Sequence, residues 1–404
     1  MTADTMGGVW RYALELAQGL EPFGAAITLA TMGAPLSAEQ RREAAALSNV
    51  RVAESRYKLV WMDDPWADLE AAGEWLLKLA EDAKPSLIHL NDYPHGHLPW
   101  PAPVLMVGHS CVLSWWQAVH GEPAPERLDR YRDAVRAGLR AADAVIAPTA
   151  AMLAELRRLY GPLPPSRVIA NGRASQSETG KQPFILAAGR LWDPAKNVAA
   201  LARIAPRLSW PVYIAGETRH PDGGTSEFPD IHCLGRLSPE QLADWFAKAS
   251  IYALPARYEP FGLSALEAAS AGCALVLGDI PSLREVWREA ALFVPPNDGE
   301  RLLSTLQELI DRPDLRRDYA VKARIGAARF TPERMAATYW QAYQELIADG
   351  RAVERRAGKT ANTSSQSQTG TPGAPEFPFQ SQTSASGAPK HSFQSQTVIR
   401  GAPG

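Results

Sequence analysis

Cysteine is scarce: Cys111, Cys233 and Cys273 are the only three in 404 residues. They show neither the spacing of a metal site nor the even number of a disulfide framework, which fits a reducing, cytoplasmic setting. No run of about eighteen apolar residues occurs, so no membrane-spanning helix is expected. The opening MTADTMGGVW lacks a charged segment followed by an apolar one, so no signal peptide is expected either. An excess of one charge is also lacking. Lys and Arg number 42 against 44 Asp and Glu, a formal net charge of −2. No overall basic field exists to draw the chain to nucleic acid. Apolar residues, by contrast, make up 46% of the chain, enough for two domain-sized cores in a chain too long for one.

Short aliphatic or β-branched runs alternate with helical patterns. Strands are expected at 26–31, 50–54, 87–91, 104–108, 144–148 and 167–170 in the first half. In the second half they are expected at 184–188, 212–215, 231–234, 251–254, 274–277 and 291–294. Runs such as VLMVG, FILAAG, VYIAG and ALVLGD are apolar without alternation, as in strands buried on both faces. With helical crossovers between them, such strands build parallel sheets covered by helices, the α/β doubly wound arrangement. The series breaks at 172–182, GRASQSETGKQ, a polar stretch without periodicity that reads as a linker. The expected division is therefore residues 1–171 and 183–329, two Rossmann-like domains facing a cleft at the carboxyl ends of their strands. Ligands of open α/β sheets bind at such places.

One strand is nearly missing. A doubly wound domain opens on a strand that leads into its first Gly-rich turn, yet Met1 lies only six residues before Gly7. The expectation is a start placed too far downstream, or failing that a domain short of most of one strand. From 357 to 404 the composition turns to Ser, Gln, Thr, Gly and Pro. There QSQT begins at Gln366, Gln380 and Gln394, and GAP at Gly373, Gly387 and Gly401, a repeat of 14 residues. Too few large apolar residues occur to offset the entropy of ordering, so a disordered C-terminal tail is expected.

The most informative segment is RYEPFGLSALEAASAGC, residues 257–273, which follows an apolar strand and reaches a helix stop at Gly272. A helix starting near Leu263 leaves the N–H groups of Phe261, Gly262 and Leu263 unpaired at its N-terminus, a ready anion site. Glu259 stands just ahead of it. Glu267 lies about one turn inside, among Ala265, Leu266, Ala268 and Ala269. A carboxylate so buried needs donors, either the vicinal hydroxyls of a ligand or a nearby arginine. In FILAAGRLWDPAKN, Gly189 permits a tight turn at a strand end, and Arg190 and Lys196 follow before a helix capped by Asn197. No D-x-D occurs to hold a metal, and two cations at this spacing can neutralise a diphosphate in its place. Gly7 and Gly8 precede an amphipathic helix from about Trp10, a turn able to face a phosphate or sugar. It is not G-x-G-x-x-G, which argues against a dinucleotide cofactor. His109 falls just past VLMVG, at the carboxyl end of a buried strand.

Together these pieces resemble one family. E-x7-E enclosing FG, running from Glu259 through Pro260, Phe261, Gly262 and Leu263 to Glu267 between two strands and followed by Glu285, resembles the donor-site motif of the large group-1 retaining glycosyltransferases (glycosyltransferase family 4), which have the GT-B fold. The likeness extends from about Gly7 to the mid-340s. The resemblance implies that Glu267 holds the donor ribose hydroxyls, and that Glu259 with the Phe261–Gly262–Leu263 backbone holds the donor sugar and phosphate. It further implies that Arg190 and Lys196 stabilise charge on the leaving diphosphate. Gly7 and Gly8 would border the donor phosphates and the acceptor, and His109 would face the donor sugar from the amino domain. Gly235, with Arg236, would lie beside the nucleotide base. The helix over 330–350, opening on Thr331-Pro332, would cross back onto the amino domain and pack there through Trp340 and Tyr343.

Other features are less specific. Asn91, Tyr93 and His95, with Asp92 and His97, follow a strand and form either an acceptor pocket or a plain polar loop. Ser110 lacks a G-x-S-x-G elbow and Cys111 an activating base, so neither is taken as a nucleophile. Trp115 and Trp116 suit stacking on an acceptor sugar or core packing equally. The arginines from Arg127 to Arg140 read as a solvated helix face in preference to a membrane contact. The sequence thus leads to metal-independent, retaining transfer of a sugar from a nucleotide-sugar donor to a glycan, lipid-linked or small-molecule acceptor. No cofactor and no nucleic acid partner are expected. The setting is the cytoplasm, with room for peripheral contact at the inner face of the membrane. The rivals are an inactive scaffold protein of the same fold, a sugar-nucleotide epimerase and a phosphorylase.

Overall fold

A computed structural model describes residues 1–175, 179–218, 228 and 230–364. The chain divides into a compact unit, Met1–Ile347, and a second unit, Ala348–Gly404. The first half of the compact unit runs β1 (Thr2–Asp4), α1 (Gly8–Leu20), β2 (Ile27–Met32), α2 (Ala38–Ala45), β3 (Val50–Glu54), α3 (Trp66–Ala83) and β4 (Ile88–Leu90). It continues through β5 (Val104–Val107), α4 (Val112–His120), α5 (Asp129–Ala141), β6 (Ala144–Ala147), α6 (Ala150–Tyr160) and β7 (Ser166–Val168). The second half opens with β8 (Gln182–Ala188), α7 (Val198–Ile204), β9 (Val212–Ala215), β10 (His232–Gly235), α8 (Pro239–Lys248), β11 (Ala249–Leu254) and α9 (Leu263–Ser270). It ends with β12 (Ala274–Gly278), α10 (Pro281–Trp287), β13 (Leu292–Val294), α11 (Gly299–Asp311), α12 (Pro313–Ala327) and α13 (Pro332–Ser364).

All described strand pairs are parallel. The amino half carries a sheet ordered β1-β2-β3 and another ordered β4-β5-β6-β7; the carboxyl half carries one of six strands, β10-β9-β8-β11-β12-β13. Asn91, just after β4, joins the two amino sheets: its N–H donates to Thr2 Oγ1 (2.8 Å) and its Nδ2 to Thr2 O (2.7 Å). The apolar, non-alternating strands are buried on both faces as their composition requires. Ile185, Ile251 and Val276 lie on one face of the large sheet and Leu186, Tyr252 and Leu277 on the other, each with no more than 0% exposure. Each such aliphatic side chain contributes about 1.5–3 kcal/mol of burial.

The first strand is present but short. Thr2 pairs with Ala30 and Asp4 with Met32, so the lower part of β2 has no β1 residue beside it. An apolar cavity of about 740 Å3, lined by Met1, Ile27, Val50, Leu76, Ile88 and Trp340 among others, opens there. The Met1 amino group donates to Thr28 O (2.9 Å), and burial pulls its pKa down to about 6.

Helix α13 places Met335, Ala336, Tyr339 and Tyr343 in one cluster with Trp10, Tyr12 and Leu16 of α1, and Trp340 stacks on Phe23 at 5.4 Å. The helix runs to Ser364, past the expected end near 350 and into residues expected to be disordered. No proline stops the helix over residues 351–364, RAVERRAGKTANTS, where Arg, Ala and Glu favour its first part and Gly358 and the Thr, Asn and Ser at its end do not. The 14-residue repeats, which begin at Gln366, lie outside the described residues. No helix among the described residues is long and apolar enough to cross a membrane.

Candidate active site

The carboxyl ends of the strands of both halves meet in one cleft. From the carboxyl half, β8 ends at Ala188 and hands over to Gly189 and Arg190, then to a 3-10 turn, Pro194–Lys196. That turn is pinned to the loop after β11, because Arg257 N–H donates to Ala195 O (2.8 Å). The pinning brings Lys196 Nζ to 2.6 Å from Glu259 Oε2, with both side chains some 14% and 13% exposed. Glu259 Oε1 also accepts from Gly262 N–H (3.0 Å) and Phe261 N–H (3.4 Å). Two of the three N–H groups expected to be free at the start of α9 are therefore taken by the carboxylate ahead of it. Gly262 makes this possible by adopting φ 91° at the N-cap, a conformation that disfavours any side chain.

Arg190 is more loosely held. Its Nη2 lies 3.3 Å from Asp193 Oδ2, its guanidinium sits over the Trp192 ring at 5.2 Å, and its side chain is 43% exposed. Glu267, one turn into α9, is ion-paired with Arg173. The sequence left a ligand's hydroxyls and a nearby arginine as alternative partners for this carboxylate; the arginine is there, and it comes from the linker. Gly235 closes β10 with φ 67°, and its carbonyl accepts from Gly216 N–H (2.8 Å). Gly8 faces α9 from the amino side, where a Cβ on it would stand 3.5 Å from Leu263 Cδ1, while Gly7 (φ 155°) has open space where its Cβ would be.

His109 follows β5, and its Nε2 lies 2.8 Å from Asn91 Oδ1. Since Asn91 donates through Nδ2 to Thr2, its Oδ1 accepts, so the imidazole carries its proton on Nε2 and presents Nδ1 as a lone pair. Tyr12 meets the ring edge-on at 4.5 Å. Burial pulls the His109 pKa down to about 3, so the ring is neutral at physiological pH and brings no charge of its own.

The acceptor residues divide. Asn91 stands at the cleft holding His109, but Tyr93 and His95 do not face a pocket; they are 6% and 2% exposed. Tyr93 OH donates to Ser110 O (2.7 Å). His95 uses both ring nitrogens inside the fold, Nδ1 to Asp92 Oδ1 (2.6 Å) and Nε2 to Leu69 O (3.1 Å). Of the two readings the sequence left open, an acceptor pocket or a plain polar loop, neither describes Tyr93 and His95, whose polar atoms are used inside the fold. The turn after β4 is polar in composition, yet α3 and α5 cover it. Trp115 and Trp116 are likewise tied down, the first by Nε1–H to Asp193 Oδ1 (2.9 Å), the second between His120 (4.1 Å) and Arg127 (4.8 Å). Cys111 caps α4, and burial raises its thiol pKa. Asn197 precedes α7 but makes no side-chain cap; its φ is 56° and its Nδ2 donates instead to Pro255 O and Pro296 O (2.9 and 2.7 Å).

The Asp92–His95 pair makes a pH prediction. Burial opposes both charges, but each partner's charge wins for the other: the His95 pKa is raised above 6.5 and the Asp92 pKa lowered below 3.8. Stability from His95 is full below 6.5 and is lost as pH rises through its raised value. Stability from Asp92 is full above 3.8 and is lost as pH falls through its lowered value. Asp92→Asn should therefore lower the melting temperature most between about pH 4 and pH 6.5, with the gap to wild type narrowing on either side. A difference that does not vary with pH would contradict the pairing.

Sequence reasoning missed several residues of the cleft. Asp4 ends β1, where no strand was legible; its Oδ1 accepts from Met6 N–H (2.5 Å), and burial pushes its pKa up to about 6 against the charge of Arg190. Tyr258 OH accepts from Cys111 N–H (3.0 Å) and Ser114 Oγ (2.9 Å), so it bridges the halves. Thr149 Oγ1 donates across the cleft to Pro260 O (3.0 Å). Glu285 caps α6 of the amino half, its Oε1 and Oε2 accepting from Ala150 and Ala151 N–H (2.7 and 2.9 Å). Glu285 had a sequence signal as the end of the motif, though not one that assigned this role. Among the described residues no group of three or more His, Cys, Asp or Glu side chains could hold a metal ion.

Two family models match the chain, glycosyltransferase family 4 over residues 6–174 and glycosyl transferases group 1 over residues 182–312. A glycogen synthase of Mycobacterium tuberculosis is 29% identical over 303 residues, covering 67% of this chain and 70% of that protein. A D-inositol 3-phosphate glycosyltransferase of Catenulispora acidiphila is 26% identical over 407 residues, covering 87% of this chain and 92% of the other. Among solved structures, a sucrose-phosphate synthase of Thermosynechococcus elongatus superposes with a TM-score of 0.73 at 20% identity over 86% of this chain and 96% of its own. Anabaena HepE in complex with UDP-glucose gives 0.66 at 16% identity over 85% and 99%.

Proposed function

The chain belongs to the group-1 glycosyltransferases, and on that premise we propose that it moves a sugar, with retention and without a metal ion, from a nucleotide-diphosphate sugar to an acceptor hydroxyl. The observation that carries the reading is the fixed set at the start of α9. Lys196 is bonded to Glu259, Glu259 to the backbone of Phe261 and Gly262, and Glu267 stands one turn on. Lys196 and Arg190, backed by the dipole of α9, would take the charge that develops as the bond from C1 of the sugar to the diphosphate oxygen breaks. The acceptor oxygen would bond to C1 from the same face, its proton passing to the departing phosphate. Glu267 would accept from the ribose hydroxyls. Gly7, Gly8, Gly235 and the Phe261–Leu263 backbone would line the donor path. His109, neutral and aimed by Asn91, would orient a sugar hydroxyl without acting as an acid. The relatives' names, glycogen synthase and D-inositol 3-phosphate glycosyltransferase, support a role in bacterial glycan, exopolysaccharide or glycolipid synthesis, and the setting would be the cytoplasm. The acceptor would be a glycan, a lipid-linked intermediate or a small molecule.

A panel of UDP-, GDP- and ADP-sugars, scored for released nucleoside diphosphate with and without EDTA, tests the reading. One donor should release its diphosphate in an acceptor-dependent way, with the anomeric configuration kept and the rate unaltered by EDTA. Turnover that needs inorganic phosphate, or that converts the donor without an acceptor, would replace it with a phosphorylase or an epimerase. Loss of activity in EDTA, restored by a divalent ion, would remove the metal-independent part.

A further inference from the structure

Residues 172 and 173 form the crossing between the halves, and they touch the return crossing at 330 and 331. Arg173 N–H donates to Phe330 O (3.1 Å), and Gly172 lies so close that a Cβ there would stand 2.2 Å from Thr331 O. This contact fixes the Arg173 backbone and sends its side chain into the interior, where it is 9% exposed. There Nη1 meets Glu15 Oε1 of α1 at 2.6 Å, and Nη2 meets Glu267 Oε1 of α9. Nε has no partner among the described residues, although it is buried. The two carboxylates are 15% and 14% exposed, and one guanidinium serves both. Burial first, then the neighbouring Glu267 charge, pushes the Glu15 pKa up against the pull of Arg173. Among the described residues Glu267 Oε2 takes no hydrogen bond, so the pair leaves one carboxylate oxygen for a ligand.

We infer that Arg173 is a positioning residue of the donor site: anchored by Glu15, it aims Glu267 so that its second oxygen meets the ribose hydroxyls of the donor. The inference rests on the donor reading above. The physical argument is one of entropy and charge. A glutamate has three rotatable bonds, and a carboxylate with no fixed partner samples orientations that do not accept from a ribose. The contact from Nη2 to Oε1, made by a guanidinium that is itself held at Nη1 by Glu15, restricts that freedom before the donor arrives. Glu15 does the same for Arg173, which ties the nucleoside contact to the amino half.

Isothermal titration of the full chain with UDP, GDP and ADP, then with the 2′-deoxy form of whichever binds wild type most tightly, separates positioning from a merely structural role. Wild type should prefer the ribose form by about tenfold, as expected for a site built to bond a hydroxyl. Arg173→Met should lose that preference, because the ribose form weakens by about tenfold while the deoxy form is unchanged. Added to Glu267→Gln it should weaken binding no further, and Arg173→Lys should restore part of the preference. Glu15→Gln, which leaves the arginine in place with one anchor fewer, should shift the preference in the same direction by less; it carries the test if Arg173→Met does not fold. Equal weakening of both forms, or of neither, in a variant that melts like wild type would overturn the inference. If none of the three diphosphates binds wild type, the donor reading itself fails.

Discussion

Alanine at Lys196 should reduce the turnover of sugar transfer by about two to three orders of magnitude, the effect of removing one fixed donor from charge that develops in a transition state. Alanine at Arg190 should reduce it less. The difference follows from how each cation is held. Lys196 is 14% exposed and sits 2.6 Å from a carboxylate that is itself bonded to the α9 N-terminus, so its position is set before a donor binds. Arg190 is 43% exposed, touches Asp193 at 3.3 Å, and is screened by water. Because the leaving charge grows along the reaction, the Lys196 effect belongs mainly in kcat and only weakly in the donor KM. One complication is built in. Removing the lysine leaves Glu259 as a buried carboxylate without its partner, which repels the diphosphate and destabilises the site. The double variant K196A/E259Q removes that charge. Read against Glu259→Gln alone, a double variant as active as that single variant assigns the loss to the orphaned carboxylate, and one slower than it by the same two to three orders assigns the loss to the missing ammonium. Near-normal turnover in Lys196→Ala would remove this residue from the chemistry.

Much of the scaffold was legible because a strand buried on both faces leaves a plain mark. Each of the twelve expected strands lies within two residues of an observed one, from Ile27–Met32 to Leu292–Val294. The exception is β1, three residues long and followed closely by Gly7 and Gly8, too short for any apolar run to be visible. The start of α9 at Leu263 was legible for a different reason, since Pro260 and Gly262 punctuate the chain just ahead of a run of helix formers.

Side-chain partnerships were much less legible, because they depend on contacts far apart in the chain. Arg173 and Glu267 are separated by 94 positions and Glu285 and Ala150 by 135, and no local pattern records either. Polar letters misled as well. Tyr93 and His95 follow a strand end in a run that reads as a solvated loop, yet the turn is folded under two helices and its polar atoms are used internally. Asn197 stands where a helix cap is expected, but the turn before it drives the residue to positive φ, and its amide is spent on two carbonyls of the neighbouring loops. In each case the residue type was right for the local chemistry and the third dimension supplied another partner.

Alanine at Gly216 should impair folding and catalysis together. Gly216 follows β9, its φ is 147°, and a Cβ on it would stand 1.7 Å from Gly189 O just after β8. No rotamer change relieves that overlap, because the atom met is backbone, so the two strand ends must part by more than about 1 Å to reach contact distance. Positive φ adds strain for any residue with a Cβ. The two together should destabilise the carboxyl half by about 2–4 kcal/mol, seen as a fall in melting temperature. The parting acts directly on the cleft: Gly189 leads into Arg190, and Gly189 N–H bonds to Ala215 O (3.0 Å), so Arg190 and the turn that carries Lys196 move with it. A displacement of about 1 Å in a positioning element is enough to lower turnover by about a hundredfold. Assays well below the melting point separate the two effects. Reduced turnover in a protein that is still folded, with nucleoside diphosphate binding weakened in parallel, would place the loss in the geometry of the cleft. If stability falls while turnover per folded molecule stays at the wild-type level, this glycine contact is structural only, and the close approach of β8 and β9 does not set the position of the cations.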